Sequence, residues 1–282
     1  MEGLRSSPGF FRTNQSMNRK LWIPPFTNGL PALPCCACQI GFLNIVADTL
    51  KKLETGPSEN LQSHDVWEVE WMDFRFTAFY RCTNPNCRNV VAVAGKVGYK
   101  SDYEVLPNGD WEERAEPYYT PLAFAEPPPV IRVCEQCPEA VSAHLDRSFG
   151  LYWMDRRSCA TAIRTAVESL LDERSVPREI ERKPGKLARI PLHDRIVRFQ
   201  AVDPEPGKLL LAIRVIGNVG THQDDITVDD LLTAYEILDH VIDLVYSARA
   251  ARVAGLADEM FTRLAGSNAP QPQALPRSST ES

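Results

Sequence analysis

Two pairs of cysteines place the strongest constraint on the fold of this 282-residue chain. Cys35 and Cys38 form a C-x-x-C pair, and Cys82 and Cys87 form a C-x4-C pair. Each pair is short enough to wrap one metal ion, and four thiolates are a ligand set that zinc accepts in a closed tetrahedral site. We therefore predict that these cysteines bind a structural zinc ion, because a small β-rich unit gains folding free energy from a bound metal.

The remaining cysteines leave alternatives open. Cys36 is an alternative ligand in the first pair, and the four predicted ligands could instead be unrelated buried thiols. Cys134 and Cys137 form a third C-x-x-C at the start of a helical pattern, where their spacing fits a buried helix face as well as a ligand pair. Cys159 lies on an apolar helix stripe and is predicted to be core. Catalysis at the zinc is disfavoured, because four thiolates leave no open coordination position.

A run of three prolines, Pro127 to Pro129, divides the chain. Consecutive prolines cannot continue a helix and favour an extended spacer. We predict a mobile N-terminal arm over 1–33 with Leu21 to Phe26 docking on the folded part, a zinc-ribbon-like β-rich domain over 34–126, a proline linker over 127–129, a helical domain over 130–255 and a disordered tail over 266–282.

The segment before the prolines carries mainly strand signals. Residues 77–80 and 90–93 are strand-like runs on either side of the second cysteine pair, and the turn at 107–110 predicts a hairpin with arms at 104–106 and 111–113. One helix is predicted over 41–54, because Leu43, Val46, Leu50 and Leu53 share a helical spacing. This pattern indicates a small zinc-ribbon-like domain.

The segment after the prolines shows helical periodicity. A helix that starts at Thr227 with a capping box to Asp230 continues as an apolar face. Packing inside a helical bundle explains such a face, and a dimer interface is the more specific alternative. The fold class predicted for the whole chain is α+β, with an all-α bundle at the C-terminal end. The apolar positions are Cys159, Ile163, Val167 and Leu170; Leu209, Ile213 and Ile216; and Leu231, Tyr235, Leu238, Ile242 and Val245.

A polar motif lies between two of these helices. Arg214, Asn218 and His222 recur every four residues, although Gly217 and Gly220 interrupt the pattern. One interpretation is a helix end whose polar side chains satisfy free carbonyls. The other is a contact site for nucleotide or RNA, in which His222 acts on a ribose hydroxyl or a phosphate.

The run Ile213 to His222, with the acidic loop and Ile226 to Leu232 after it, resembles a bacterial family known as domain of unknown function 4145. The similarity extends back to Arg157–Glu168 and forward to Tyr246. The resemblance implies a branch of the HEPN superfamily, whose helical and often dimeric domains are associated with RNA cleavage or nucleotide binding. It also implies an N-terminal cysteine-rich ribbon and a setting in restriction or antiviral defence.

Active HEPN ribonucleases carry an arginine, a polar residue and, four residues later, a histidine. Asn218 and His222 match the last two positions, but Gly217 stands where the arginine is expected, and Arg214 lies one turn earlier. The cation would stabilise phosphate charge in the transition state. We therefore predict a binding protein rather than an enzyme, and a metal-independent endoribonuclease that uses His222, Asn218 and Arg214 is the alternative.

The chain has a formal net charge of −6, which argues against a dedicated duplex-DNA binder. A local cation-rich stretch nevertheless makes RNA a candidate partner beside a protein. No nucleotide cofactor is predicted, since the phosphate-loop and dinucleotide fingerprints are missing from the sequence. Without an apolar run long enough for a bilayer or a secretory signal, we expect no membrane contact and a cytoplasmic location. The cationic candidates are Arg178, Arg182, Lys183, Lys186, Arg189, Arg195 and Arg198.

Overall fold

A computed structural model describes residues 17–107, 110–219, 226–247 and 249–266, and it leaves the side chains of 215–219, 249–254, 265 and 266 undescribed. Strands dominate up to residue 124, and helices dominate from residue 139 onwards. None of the described helices is both long and apolar enough to cross a membrane.

The N-terminal half is built on a six-stranded antiparallel sheet that curls into a half-barrel. The neighbours along the sheet are β1, β2, β4, β5 and β6, and β3 pairs with the other end of β4. A short helix, α1 (Gly56–Leu61), lies between β3 and β4. The strands are β1 (Leu33–Pro34), β2 (Phe42–Ile45), β3 (Lys51–Glu54), β4 (Asp73–Cys82), β5 (Val90–Val105) and β6 (Trp111–Phe124).

β4 is the central strand, because it pairs with β2, β3 and β5. Phe76, Ala78, Tyr80 and Cys82 are buried, while the residues between them are exposed, so one face of the strand covers the core. The ladder of β5 and β6 shifts register at Ala94/Gly95. A bulge at this point bends a strand and increases its twist, which lets the long β5–β6 hairpin curl.

These strands correct the predicted zinc-ribbon-like domain. The prediction of a small ribbon with a helix over 41–54 is wrong, because those residues form β2, a 3₁₀ turn and β3. Leu43 is fully buried in β2, whereas Leu53 in β3 is 75% exposed, so the two leucines do not share a helix face. Pairing of β2 and β3 with β4 supplies the backbone hydrogen bonds that a helix would otherwise make. The predicted strands at 77–80 and 90–93 and the hairpin arms at 104–106 and 111–113 are confirmed, with Val105 opposite Trp111.

The C-terminal half contains six helices in the described residues. The predicted helices are confirmed: the stripe from Cys159 to Leu170 is buried in α3, and α6 begins with the capping box of Thr227 and Asp230. The helices are α2 (Glu139–Met154), α3 (Arg156–Glu173), α4 (Leu192–Val202), α5 (Pro204–Val219), α6 (Val228–Tyr246) and α7 (Arg249–Gly266).

The prediction that this half is all-α is wrong. A hairpin formed by β7 (Glu179–Lys183) and β8 (Lys186–Arg189) stands between α3 and α4. Pro184 and Gly185 form its turn, and Gly185 adopts a φ of +73°, which glycine reaches without steric cost. Proline also removes a backbone donor that a helix would need. The half is therefore a mixture of helices and a hairpin.

The sheet and the helices share one continuous buried cluster. Trp22 is 2% exposed and packs on Tyr152 and Trp153 of α2, while Phe124 at the end of β6 packs against Trp153 with its ring tilted. The Tyr152 hydroxyl donates to the carbonyl oxygen of Trp22. Pro128 and Pro129 are buried in the connection to α2. The predicted domain boundaries stay predictions. Residues 1–16 of the predicted arm and residues 267–282 of the predicted tail lie outside the described residues.

Candidate metal centre

The four predicted ligands come from the ends of two neighbouring hairpins. Cys35 and Cys38 lie in the connection from β1 to β2, and Cys82 and Cys87 lie at the connection from β4 to β5. Because β2 pairs with β4, with Leu43 opposite Cys82, the two connections meet at the same end of the sheet. The topology therefore brings together two pairs that are distant in sequence.

The four sulfur atoms form one compact group. All four Sγ atoms lie within 4.8 Å of one another. The Sγ atoms of Cys35 and Cys87 are 3.8 Å apart, and those of Cys38 and Cys82 are 3.7 Å apart. These separations are far longer than a disulfide bond of about 2.0 Å, and all four thiols are free. The arrangement is thus a cluster of four thiols at metal-binding distance.

Both connections fold into similar tight loops. In the first loop, Gln39 has a φ of +52° and its N–H donates to the Cys35 carbonyl oxygen at 3.0 Å. In the second loop, Arg88 has a φ of +51° and its N–H donates to the Asn84 carbonyl oxygen at 3.0 Å. The left-handed residues turn the chain sharply and give the two loops a similar shape.

Backbone and amide donors surround the sulfurs. The N–H of Gly41 donates to Cys38 Sγ at 3.4 Å, and that of Asn84 donates to Cys82 Sγ at 3.4 Å. The side-chain amide of Asn84 also reaches Cys38 Sγ at 3.7 Å. Hydrogen bonds of this kind stabilise a thiolate, which is the form that binds metal.

The thiols differ in how easily they ionise. Burial works to raise the pKa of Cys38, but the donors from Gly41, Ile40 and Asn84 outweigh it and lower that pKa to about 6. Burial raises the pKa of Cys82 to about 12, and the neighbouring thiols add to the increase. Four thiolates at this distance repel one another, so full ionisation requires a cation among them.

Gly41 allows the two loops to approach closely. A Cβ atom on this residue would lie 2.6 Å from Cys82 Sγ and 2.9 Å from both the N and Cβ atoms of Asn84. Its carbonyl oxygen accepts from the N–H of Cys35 at 3.0 Å. The absence of a side chain at position 41 therefore permits the sulfur cluster, a feature that the cysteine spacing did not reveal.

The alternative cysteine ligands lie outside the four-sulfur group. Cys36 points its Sγ at Glu126, 3.5 Å from Oε2, and Asn89 bonds to both groups. Cys134 and Cys137 lie in a turn before α2 and not on a helix face, with the N–H of Cys137 donating to the carbonyl oxygen of Cys134. Among the described residues, only the four predicted cysteines form a potential metal-binding group.

The polar motif is only partly described. Arg214 lies on α5, where its Nε atom is buried and has no hydrogen-bond partner among the described atoms. Asn218 lies on the same helix, but its side chain is outside the described set, and His222 lies outside the described residues. The catalytic roles of Arg214, Asn218 and His222 stay predictions.

Comparison with protein families finds two matches, both to families without an assigned function. Residues 25–124 match the model of Domain of unknown function (DUF8608), which contains all four clustered cysteines. Residues 146–263 match that of Domain of unknown function (DUF4145), which confirms the predicted resemblance over this segment. Comparisons with curated proteins and with solved structures give no match.

Proposed function

We propose that Cys35, Cys38, Cys82 and Cys87 bind one structural zinc ion. The observation that carries the proposal is the spacing of the sulfur atoms, 3.7 Å for Cys38 and Cys82 and 3.8 Å for Cys35 and Cys87. A tetrahedron with zinc–sulfur distances of about 2.3 Å has sulfur–sulfur edges of about 3.8 Å. Four thiolates complete that tetrahedron, so the ion would have no open position for water and would hold the two loops together.

The zinc proposal is tested on the reduced full-length chain. We expect about one zinc ion per chain after purification without chelator, and a lower melting temperature after the metal is removed, because the thiolates then repel and protonate. Cys82→Ser is the ligand variant, and Cys159→Ser is unsuitable as a control because Cys159 is buried beside Tyr235. Cys134→Ser is the better control, since it changes a thiol outside the cluster. Full zinc occupancy in Cys82→Ser, or loss of zinc in Cys134→Ser, contradicts this ligand set.

The second part of the proposal is that the protein binds nucleic acid, with single-stranded RNA as the first candidate. Its support is the β7–β8 hairpin, which stands out from the helices with every residue of its two strands exposed except Ala188. Between residues 178 and 189 there are five cationic side chains and two acidic ones. A concentration of positive charge on a projecting hairpin attracts phosphates despite the net negative charge of the chain.

Salt-dependent RNA binding tests this part. If Lys183 and Lys186 at the hairpin tip each contact a phosphate, their joint replacement by glutamine reduces the slope of log affinity against log salt by about 1.4. The matched control is the double variant Lys51→Gln and Lys208→Gln, which removes two exposed lysines elsewhere. Binding that is insensitive to salt, or equal effects of the two double variants, contradicts an RNA-binding hairpin.

Several finer features belong to the same proposal. They are a relationship of the helical half to the HEPN superfamily, a setting in bacterial defence or restriction, a cytoplasmic location and a homodimer through the helical half. They rest on the resemblance to domain of unknown function 4145 and on the apolar helix faces of the sequence. A protein partner is the alternative ligand of the hairpin, and crosslinking in native cells followed by identification of bound RNA and protein separates the two.

A further inference from the structure

A second feature of the helical half is a cavity of about 480 Å³ between α3, the β7–β8 hairpin and the start of α4. This volume is in the range of pockets that enclose small molecules. Its charged lining comes from separate segments of the chain, so no single motif in the sequence reveals it. The charged side chains are Arg164, Glu168, Arg178, Glu179, Arg189 and Arg195.

Arg195 is the fixed cation of the cavity. Only 4% of the residue is exposed, and its Nη2 atom donates to Asp172 Oδ1 at 2.7 Å and to the carbonyl oxygen of Val176 at 2.9 Å. Its Nε atom is buried and has no hydrogen-bond partner among the described residues. A buried donor without a partner carries a free-energy cost, and Arg195 is one of the residues that line the cavity.

Arg178 and Arg189 are the adjustable cations. The side chain of Arg189 is 81% exposed and lies 3.6 Å from Glu168, while that of Arg178 is 70% exposed and pairs with Asp172. The contact between Arg189 and Glu168 is long, so Arg189 can turn towards a ligand at small cost. Arg178 can do so only by giving up its two contacts with Asp172, which stays paired with Arg195. The strand register places Arg189 directly opposite Glu179, which brings both side chains to the cavity.

The first turn of α4 adds a second, independent attraction for an anion. Pro191 is the N-cap residue and makes no side-chain cap, and Pro191 and Leu192 both line the cavity. An eleven-residue helix concentrates partial positive charge and unpaired N–H groups at this end. Asp194 in the first turn is exposed and is not part of the lining. Helix N-termini with these properties bind phosphate.

We infer that this cavity binds a phosphate monoester of mononucleotide size, with Arg178, Arg189 and Arg195 as its guanidinium ligands. Four arginines face Glu168 and Glu179 in the lining and Asp172 behind it, which leaves one net positive charge before the helix end is counted. Guanidinium groups match phosphate oxygens in pairs, a geometry that a lysine does not offer. The site is separate from the hairpin tip and goes beyond the RNA-binding proposal.

The test is calorimetric titration of the full chain at physiological ionic strength. The probes are uridine 5′-monophosphate, inorganic phosphate and uridine, which lacks the phosphate. We expect the first two to bind in competition and uridine not to bind. In the double variant Arg178→Gln and Arg189→Gln, affinity falls about tenfold or more, since charge-assisted hydrogen bonds are lost. The control Arg182→Gln and Arg198→Gln removes two exposed arginines outside the lining and changes affinity by less than about twofold.

A second arm identifies the source of the phosphate. Oligouridylate with a 5′-phosphate is compared with the same oligomer ending in a 5′-hydroxyl. A preference for the phosphorylated end that is lost in the Arg178→Gln, Arg189→Gln variant assigns the site to strand ends, whereas binding of the mononucleotide alone assigns it to a free metabolite. Both results support the cavity site.

Two results would overturn the inference: no binding of any phosphate probe, or equal weakening in the cavity and control variants. If the double variant melts below the parent chain, Arg189→Gln alone carries the test, because its side chain is the most exposed of the set. The hairpin proposal can fail while the cavity proposal holds. In that case, replacing Lys183 and Lys186 leaves RNA binding unchanged, and the affinity for uridine 5′-monophosphate also stays as in the parent chain.

Discussion

Replacing Gly41 with alanine tests the sulfur cluster without removing any ligand. The added Cβ would lie 2.6 Å from Cys82 Sγ, a separation that real Cβ contacts essentially never show, and 2.9 Å from two atoms of Asn84. The two Asn84 atoms are its backbone N and its Cβ, which do not move when a side chain rotates, so the strain cannot be relieved without shifting the second loop. Overpacking of this kind costs about 1–3 kcal/mol.

That cost is expected to appear mainly as weaker metal binding, because the loops must approach one another to complete the tetrahedron. A loss of about 1–3 kcal/mol corresponds to roughly a 5- to 150-fold decrease in zinc affinity. Competition with a chromophoric chelator measures this affinity, and the melting temperature with and without metal separates binding from folding.

Gly56→Ala is the matched control for Gly41→Ala. Gly56 begins α1, is exposed, and has no atom within 4 Å of the position that its Cβ would take. We expect unchanged zinc affinity and a stability change of less than about 1 kcal/mol. If Gly41→Ala binds zinc as tightly as Gly56→Ala does, the close approach of the two loops is not what shapes the site.

Three further substitutions test the packing of the helical half and its contact with the sheet. Tyr235→Phe removes a buried hydroxyl that donates to Ser148 Oγ at 2.8 Å, and we expect a loss of about 1–3 kcal/mol in chemical denaturation. Trp22→Ala empties a site that is 2% exposed and should cost about 3–5 kcal/mol in the same assay. Asp172→Asn leaves Arg195 buried without its carboxylate and should cost roughly 3 kcal/mol, and it should also flatten the acid limb of the stability curve.

The loss of stability at acid pH, the acid limb of the stability curve, follows from the direction in which the pKa of Asp172 is shifted. Arg178 lowers the pKa of Asp172, burial opposes this, and Arg195 lowers it further. Since the folded-state pKa is depressed, the stabilisation is complete above the unfolded-state pKa of about 3.9 and is lost as the pH falls through the folded-state value. Melting temperatures measured from neutral pH into this range give the slope. An acid limb in Asp172→Asn as steep as in the parent chain would refute the linkage.

Matched controls exist for the other two substitutions. Tyr103→Phe removes a hydroxyl from a side chain that is 58% exposed, and Trp111→Ala truncates a tryptophan that is 69% exposed. Both controls should change stability by less than about 0.5 kcal/mol. A loss in either control equal to that of its buried counterpart would mean that burial does not set the cost.

The cluster of four cysteines was predictable because the spacing within each pair is local. Cys35 and Cys38, and Cys82 and Cys87, are each close enough in sequence to share one ion, and thiolates have a narrow range of metal partners. The apolar stripes of α3 and α6 were equally predictable from the sequence. Apolar residues at steps of three and four over about five turns are specific for a helix. What these features share is a short range of sequence over which one physical rule applies.

The predictions were wrong where the local sequence pattern did not distinguish a helix from strands. Leu43, Val46, Leu50 and Leu53 have helical spacing by coincidence, because two strands of four residues and a turn produce the same intervals. The β7–β8 hairpin was missed although Pro184 and Gly185 mark a turn, since the surrounding charges hide the alternation of its strands. The arginine cavity depends on tertiary structure, since α3, the hairpin and α4 each contribute part of its lining.

The long separation of the two cysteine pairs has a consequence for stability. Forty-three residues lie between Cys38 and Cys82, and they include β2, β3, α1 and nearly all of β4. Because the site forms only in the folded chain, the free energy of metal binding would add to the free energy of unfolding, by about 4 kcal/mol at a free zinc concentration roughly 1,000 times the Kd. The free energy of unfolding of an ordinary domain is about 5–15 kcal/mol, so the metal would supply a substantial part of it.

The position of the four-cysteine cluster determines which parts of the fold a loss of bound metal would destabilise. The proposed metal would join the two hairpin ends at one end of the sheet, whereas Phe124 and Trp22 join the sheet to α2 through Trp153. Because the buried cluster is continuous, loosening β4 exposes part of a core that the helices share. Metal removal should therefore lower the melting temperature of the sheet and of the helices together. A sheet that melts alone, with the helical signal unchanged, would show that the shared core does not couple the two halves.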